Sequence, residues 1–265
     1  MANIELHMIS IPALGRTKRV FVCLPADLGK GVRRPVLFMQ DGHNLFDPRD
    51  TAYGASWNVH QALDRLSRAG LSAPIVVGVD GGSPHRFDEY SPWVSTNLGT
   101  VKALLGDGPH GGEGAAYVDW LADDLKPFID KTYPTDPDRT WIAGSSMGGL
   151  ISLYAACRRP ETFSKIGAFS PAVWFAETES LACLSTSFPA DAGAYVDIGT
   201  METSDPANPA FPTIYLDGAR RVRDALRKRG VADLLYVEDE GAIHHESAWE
   251  RRFPRFLRWL LETKR

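Results

Sequence analysis

The 265-residue sequence predicts an α/β fold, with a mostly parallel central sheet and helices on both faces. Three observations predict it. Short continuous apolar runs recur along the chain, as expected of strands buried on both faces. Segments of helical spacing separate these runs, and strands alternating with helices build a covered parallel sheet. One run, Thr140-Trp141-Ile142-Ala143, passes through Gly144-Ser145-Ser146-Met147-Gly148 into a helical stretch from Gly149 to Cys157. A strand therefore meets a helix at a sharp turn centred on a serine.

Taken in order, Ile4–Ile11 and Arg19–Leu24 read as two antiparallel opening strands around a turn at Gly15-Arg16. Val36-Leu37-Phe38-Met39 is a buried strand that Asp41-Gly42 ends, and Trp57–Leu66 is helical. Ile75–Val79 is the next buried strand, closed by Asp80-Gly81-Gly82. The stretch from Ser83 to Gly114 is irregular and rich in glycine, proline and aromatic residues. Long loops in compact domains are functional or disordered. Residues 83–114 are read as a substrate-side insertion within a single domain covering residues 1–265.

Tyr117, Leu121, Leu125, Phe128 and Ile129 fall at helical spacing and predict a helix over Ala115–Lys131. After the serine turn, Ile166–Phe169 and Tyr195–Ile198 read as strands. Pro212–Arg229 reads as a helix, with its proline near the start and Gly230 just past the end. Leu234–Val237 is the last strand. Trp249, Phe253, Phe256, Leu257 and Leu260 mark a terminal helical region that Pro254 kinks or restarts. No repeat, low-complexity tract or linker divides the chain.

A net charge of −4 gives no field that would draw nucleic acid or an anionic membrane. The basic clusters Arg220-Arg221-Val222-Arg223 and Arg251-Arg252 read as solvated helix faces. The first residues lack a basic segment followed by an apolar run, so no signal peptide is expected. No apolar run approaches the ~20 residues of a membrane helix. Three cysteines, Cys23, Cys157 and Cys183, form no disulfide framework and point to the reducing cytoplasm. The sequence carries no signature of oligomeric state.

The glycines two residues either side of Ser146 leave room for strand and helix to meet closely, which is the nucleophile elbow of α/β-hydrolases. A serine hydroxyl needs a base to attack a carbonyl, and the base needs an orienting carboxylate. In this fold the chain order is serine, acid, histidine. Glu202 follows the Tyr195–Ile198 strand, with Asp205 just beyond as the fallback acid, and His244-His245 follow the last strand. Both loops lie at carboxyl ends of strands, where a parallel sheet presents its ligands. His244 is taken as the base, leaving His245 to cap the next helix or face solvent. His43, His60, His85 and His110 precede the serine and do not fit the order. Asp197 lies mid-strand and reads as structural. The oxyanion needs two backbone N–H donors. Met147 supplies one, and the loop Asp41-Gly42-His43-Asn44 supplies the other, through His43. The His244-His245-Glu246 group has no second cluster at ligand spacing, so no metal is expected.

Together these segments resemble the putative-esterase family of α/β-hydrolases, which includes S-formylglutathione hydrolase, feruloyl and acetylxylan esterases, siderophore trilactone esterases and mycolyl-transferases. The resemblance runs from Val20 to Leu261. It rests on Phe38–Asp47, Arg86–Trp93, Gly144–Gly149, Asp197–Glu202 and Gly241–Trp249. It implies Ser146 as nucleophile, Glu202 at the acid position and His244 as base. The chain departs from many relatives in having Glu202 where aspartate is common and His43 where glutamine is common. The Arg86–Trp93 segment matches a recurring family loop. Read structurally, an Arg86–Glu89 pair anchors it; read functionally, Arg86, Glu89, Tyr90 and Trp93 form a wall of the substrate pocket, joined by Trp174.

The expectation is a single-domain serine esterase acting on a small-molecule carboxylic ester without a cofactor. An acyltransferase or peptidase with the same triad, and a non-catalytic binding protein keeping the fold, are the other readings. The acyl and alcohol groups are not legible in the sequence.

Overall fold

In the computed structural model, which describes residues 3–29, 31–51, 54–82, 84–95 and 98–262, eight strands join into one sheet. They are β1 (Asn3–Ile11), β2 (Arg16–Leu24), β3 (Arg34–Gln40), β4 (Ile75–Val79), β5 (Thr135–Ser145), β6 (Lys165–Phe169), β7 (Gly193–Gly199) and β8 (Leu234–Asp239). Their order across the sheet is β1-β2-β4-β3-β5-β6-β7-β8. The pairs β1–β2 and β2–β4 are antiparallel, and every pair from β4 to β8 is parallel. This is the α/β-hydrolase fold.

The helices are α1 (Val59–Arg68), α2 (Arg86–Glu89), α3 (Leu98–Leu105), α4 (Gly114–Trp120), α5 (Lys126–Thr132), α6 (Met147–Arg158), α7 (Glu177–Ser187), α8 (Phe211–Arg229) and α9 (Glu246–Glu262). Successive side chains of a strand point to opposite faces, and β3 shows the consequence. Val36 and Phe38 pack into a core shared with Tyr117 of α4, Ile151 of α6, Leu184 of α7 and Val222 of α8. Leu37 and Met39 pack into a second core with Leu63 and Leu66 of α1 and Phe253, Phe256 and Leu257 of α9. Both faces are buried, so the central strands are apolar throughout rather than alternating.

The structure refines several expected elements. Helix α7 was not legible in the sequence: its polar ends, Glu177-Thr178-Glu179 and Ser185-Thr186-Ser187, hide the pattern, and only Ser180 and Leu184 are buried. The expected single helix over Ala115–Lys131 is α4 and α5 joined by a wider turn over Leu121–Leu125. The stretch read as irregular, 83–114, holds α2 and α3. Helix α9 runs unbroken through Pro254. The proline removes one N–H, while Trp249, Phe253, Phe256, Leu257 and Leu260 hold both halves on the sheet. The Arg251-Arg252 pair splits between environments. Arg251 is exposed, whereas Arg252 is buried and is not part of a solvated face. No helix among the described residues is long and apolar enough to cross a membrane.

Candidate active site

Ser146 links the end of β5 to the start of α6 with φ 58° and ψ −122°, a conformation that L-residues rarely adopt. Such a residue costs on the order of 1–3 kcal/mol and persists only where its surroundings over-determine it. Here the Ser146 N–H donates to the Phe169 carbonyl at 2.9 Å. The Ser146 carbonyl accepts from the N–H groups of Gly149, Leu150 and Ala172 at 3.0–3.1 Å. The flanking glycines are needed for contact rather than for φ. A Cβ on Gly144 would lie 2.7 Å from the Gly148 carbonyl, and one on Gly148 would lie 2.8 Å from Gln40 Cβ.

Glu202 sits just past β7 and is fully buried. Its Oε2 is 2.8 Å from His244 Nδ1. Its Oε1 accepts from the Gly199 N–H at 2.7 Å, from Ser170 Oγ at 2.6 Å and from Arg252 Nη2 at 3.2 Å. Burial alone would push this carboxyl up. The hydrogen bond to His244 and the charges of His244 and Arg252 more than offset it and hold the group below the ordinary carboxylate range. Asp205 instead shapes its own turn, accepting from the Ala207 N–H at 3.1 Å. Of the two expected acids, Glu202 is the one that reaches the imidazole. His245 pairs through Nδ1 with Ser247 at the head of α9.

The His244 ring lies between Tyr215 of α8 and Trp249 of α9, each with centroids 4.9 Å away. Ser146 and His244 line one cleft of about 550 Å³. Among the described residues they form no direct hydrogen bond; the Ser146 hydroxyl has the Tyr215 hydroxyl 3.4 Å away.

The opposite rim is the one-turn helix Gly42–Asn44 after β3. Asp41, with φ 56°, turns the chain into it. Arg86 grips the Asp41 carboxylate with two hydrogen bonds, at 2.7 and 2.8 Å, and the Tyr90 hydroxyl accepts from the Asp41 N–H at 3.1 Å. His43 Nδ1 is 2.7 Å from Asp80 Oδ1. Burial pushes the Asp80 carboxyl up, but His43, the Gly82 N–H and Arg19 hold it well below its usual range. The N–H groups of His43 and Met147 both fall at starts of helical turns, where a backbone donor has no partner inside its own helix.

Of the residues expected to bind substrate, Arg86 and Trp174 line the cleft. Glu89, Tyr90 and Trp93 do not, and the expectation is corrected for all three. Glu89 is fully buried beneath the loop with Lys18 and Arg16, so the anchoring pair is Arg86–Asp41 rather than Arg86–Glu89. Tyr90 is spent under Arg86, 5.1 Å from its guanidinium, and on the Asp41 backbone. Trp93 packs edge-on against Tyr154 of α6 at 5.4 Å. The loop uses these side chains to fix itself.

Two residues were not expected at the site: Tyr215 carried no expectation, and Arg252 reads in the sequence as part of a solvated helix face. Tyr215 reads in the sequence as one more apolar helix position. Arg252 did leave a signal: it lies three residues after Trp249 and four before Phe256, on the apolar stripe of α9. Its Nε is 3.3 Å from Asp197 Oδ2, whose carboxyl burial pushes up to about 7. Arg252 thus neutralises two fully buried carboxylates, Asp197 and Glu202. Arg252→Met is expected to destabilise the protein by about 3–5 kcal/mol, because removing one partner strands the other buried charges. Urea unfolding at neutral pH measures this. No group of three metal-ligating side chains occurs among the described residues.

Residues 11–260 match the family described as Putative esterase. Among curated relatives, YbbA of Bacillus subtilis is 25% identical over 235 residues, covering 87% of each chain. The ferri-bacillibactin esterase BesA of Bacillus subtilis is 25% identical over 175 residues, which span 64% of this chain and 58% of BesA. Among solved structures, the BES protein from Bacillus cereus superposes with a TM-score of 0.76 at 19% identity, covering 99% of this chain and 96% of that one.

Proposed function

Because the chain belongs to the putative-esterase family, we propose that it hydrolyses a carboxylic ester through an acyl-enzyme on Ser146. The observation that carries this reading is the 2.8 Å contact between Glu202 and His244 at the rim of the cleft into which the strained elbow sets Ser146. Ser146 Oγ turns from Tyr215 toward the imidazole and attacks the ester carbonyl while His244 takes its proton through Nε2. Glu202 fixes the tautomer that carries its hydrogen on Nδ1 and stabilises the imidazolium. The N–H groups of Met147 and His43 hold the oxyanion. His244 then protonates the leaving alkoxide, and water repeats the sequence to release the acid.

Arg86 has a positioning role in this scheme. By gripping Asp41 it holds the turn that presents the His43 N–H. The cleft wall formed by Phe87, Leu104, Leu105, Trp174 and Trp249 suits an apolar or aromatic acyl group. The likeness to BesA, named as a ferri-bacillibactin esterase, supports an ester substrate.

A fluorophosphonate probe tests the reading. Incubation is expected to abolish p-nitrophenyl acetate turnover in step with phosphonylation of Ser146, located by peptide mass spectrometry. Full turnover with Ser146 modified, or loss of turnover with the adduct on another residue, overturns it.

A further inference from the structure

Resting on that reading, we propose that Tyr215 is a catalytic residue whose hydroxyl donates a hydrogen bond to the leaving-group oxygen as the ester C–O bond breaks. Tyr215 is 1% exposed on α8, and its ring lies along the His244 imidazole at 37°. Its hydroxyl is 3.4 Å from Ser146 Oγ and 3.0 Å from Ser204 Oγ. Among the described residues, the Ser146 hydroxyl hydrogen-bonds to no other side chain.

In the tetrahedral adduct the leaving oxygen is two bonds from Ser146 Oγ. It must also face His244 to collect its proton. The Tyr215 hydroxyl is 3.4 Å from Ser146 Oγ, and the ring that carries it lies beside the imidazole with centroids 4.9 Å apart. When the C–O bond breaks, its electron pair stays on the leaving oxygen, His244 delivers a proton there, and Tyr215 keeps its own. Burial raises the phenol above its ordinary range, despite the bonds to Ser146, Ser204 and Trp174, so it stays protonated and acts as a donor. The Ser204 hydroxyl is placed to donate to the phenol oxygen and strengthen it as a donor.

A leaving-group series separates this role from others. Acyl chain held constant, kcat/KM is measured for acetate esters from nitrophenol through phenol to ethanol. Tyr215→Phe is expected to lose at least ~10-fold on the ethyl ester and less than about 3-fold on the nitrophenyl ester, since a charge-assisted hydrogen bond matters most where the leaving oxygen carries most charge. Ser204→Ala, which keeps the tyrosine, is expected to show the same bias at smaller size. Fluorophosphonate labelling of Ser146 is expected to proceed in both variants, so a failure of the serine reading is seen separately as unlabelled Ser146 in the wild-type protein. Equal losses across the series in both variants would assign Tyr215 to positioning Ser146 or to the oxyanion and overturn the proposal. Unchanged rates in both would overturn it as well. Should Tyr215→Phe not fold, the slope of the Ser204→Ala series decides alone.

Discussion

Ser146→Ala is expected to lower kcat/KM for p-nitrophenyl acetate by at least ~1,000-fold, and His244→Ala by a similar factor. The argument is one of interdependence. Without the hydroxyl, the imidazole has no proton to take; without the imidazole, the hydroxyl is a weak nucleophile at neutral pH. The double variant should therefore be little worse than either single one. Residual activity would come from the oxyanion donors and from binding alone. The folded state should survive both changes. Ser146→Ala removes one hydroxyl while keeping the backbone bonds that fix the elbow, and His244 is near the surface of the cleft. Steady-state kinetics with circular dichroism on the same samples is the check. A loss below tenfold in folded Ser146→Ala would remove that serine from the chemistry.

The second large effect is expected at Glu202. Glu202→Gln should lower kcat/KM by about 100- to 10,000-fold, because an amide facing Nδ1 favours the wrong tautomer and cannot balance an imidazolium. Asp205→Asn, whose carboxylate serves a local turn, should change turnover less than about twofold, as a surface substitution does. The reverse ranking would exchange their roles. Glu202→Gln also carries a pH signature. The wild-type carboxyl lies below its ordinary range in the folded protein. Its contribution to stability is therefore present above the range in which the unfolded chain titrates, and is lost as pH falls through the depressed folded value. Urea midpoints measured across the acid range should fall less steeply for Glu202→Gln than for the wild type.

The candidate serine, acid and histidine could be named from the sequence because their signals are local. Gly144 and Gly148 announce a close strand–helix approach, and apolar runs end where the loops of Glu202 and His244 begin. The parallel strands were legible from their two-faced burial. What the sequence hid is what depends on distant partners. Arg86 is separated from Asp41 by 45 positions, and nothing local distinguishes that pairing from one with Glu89. Tyr215 meets Ser146 only because α8 packs against β7 and the turn Val173–Phe175, which no periodicity reports. Arg252 was read as solvated because charge clusters interspersed with acidic residues on helices commonly form exposed faces, although its place on the apolar stripe held the correct answer. Helix α7, lacking a strong apolar face, took its form from packing against α6 and α8 rather than from its own residues.

The surroundings of the Glu202 carboxylate have a consequence for the newly made polypeptide. Ribosomes deliver the chain from its amino end, so the elbow and most of the cleft wall emerge well before Trp249 and Arg252. Until that last helix docks, Glu202 has no guanidinium beside it and Ser170 lacks the Trp249 and Arg252 donors that hold its hydroxyl. A nascent protein can thus have most of its sheet in place while the Glu202 carboxylate still lacks its partners, so the proposed esterase activity is expected to await the closing step of biogenesis.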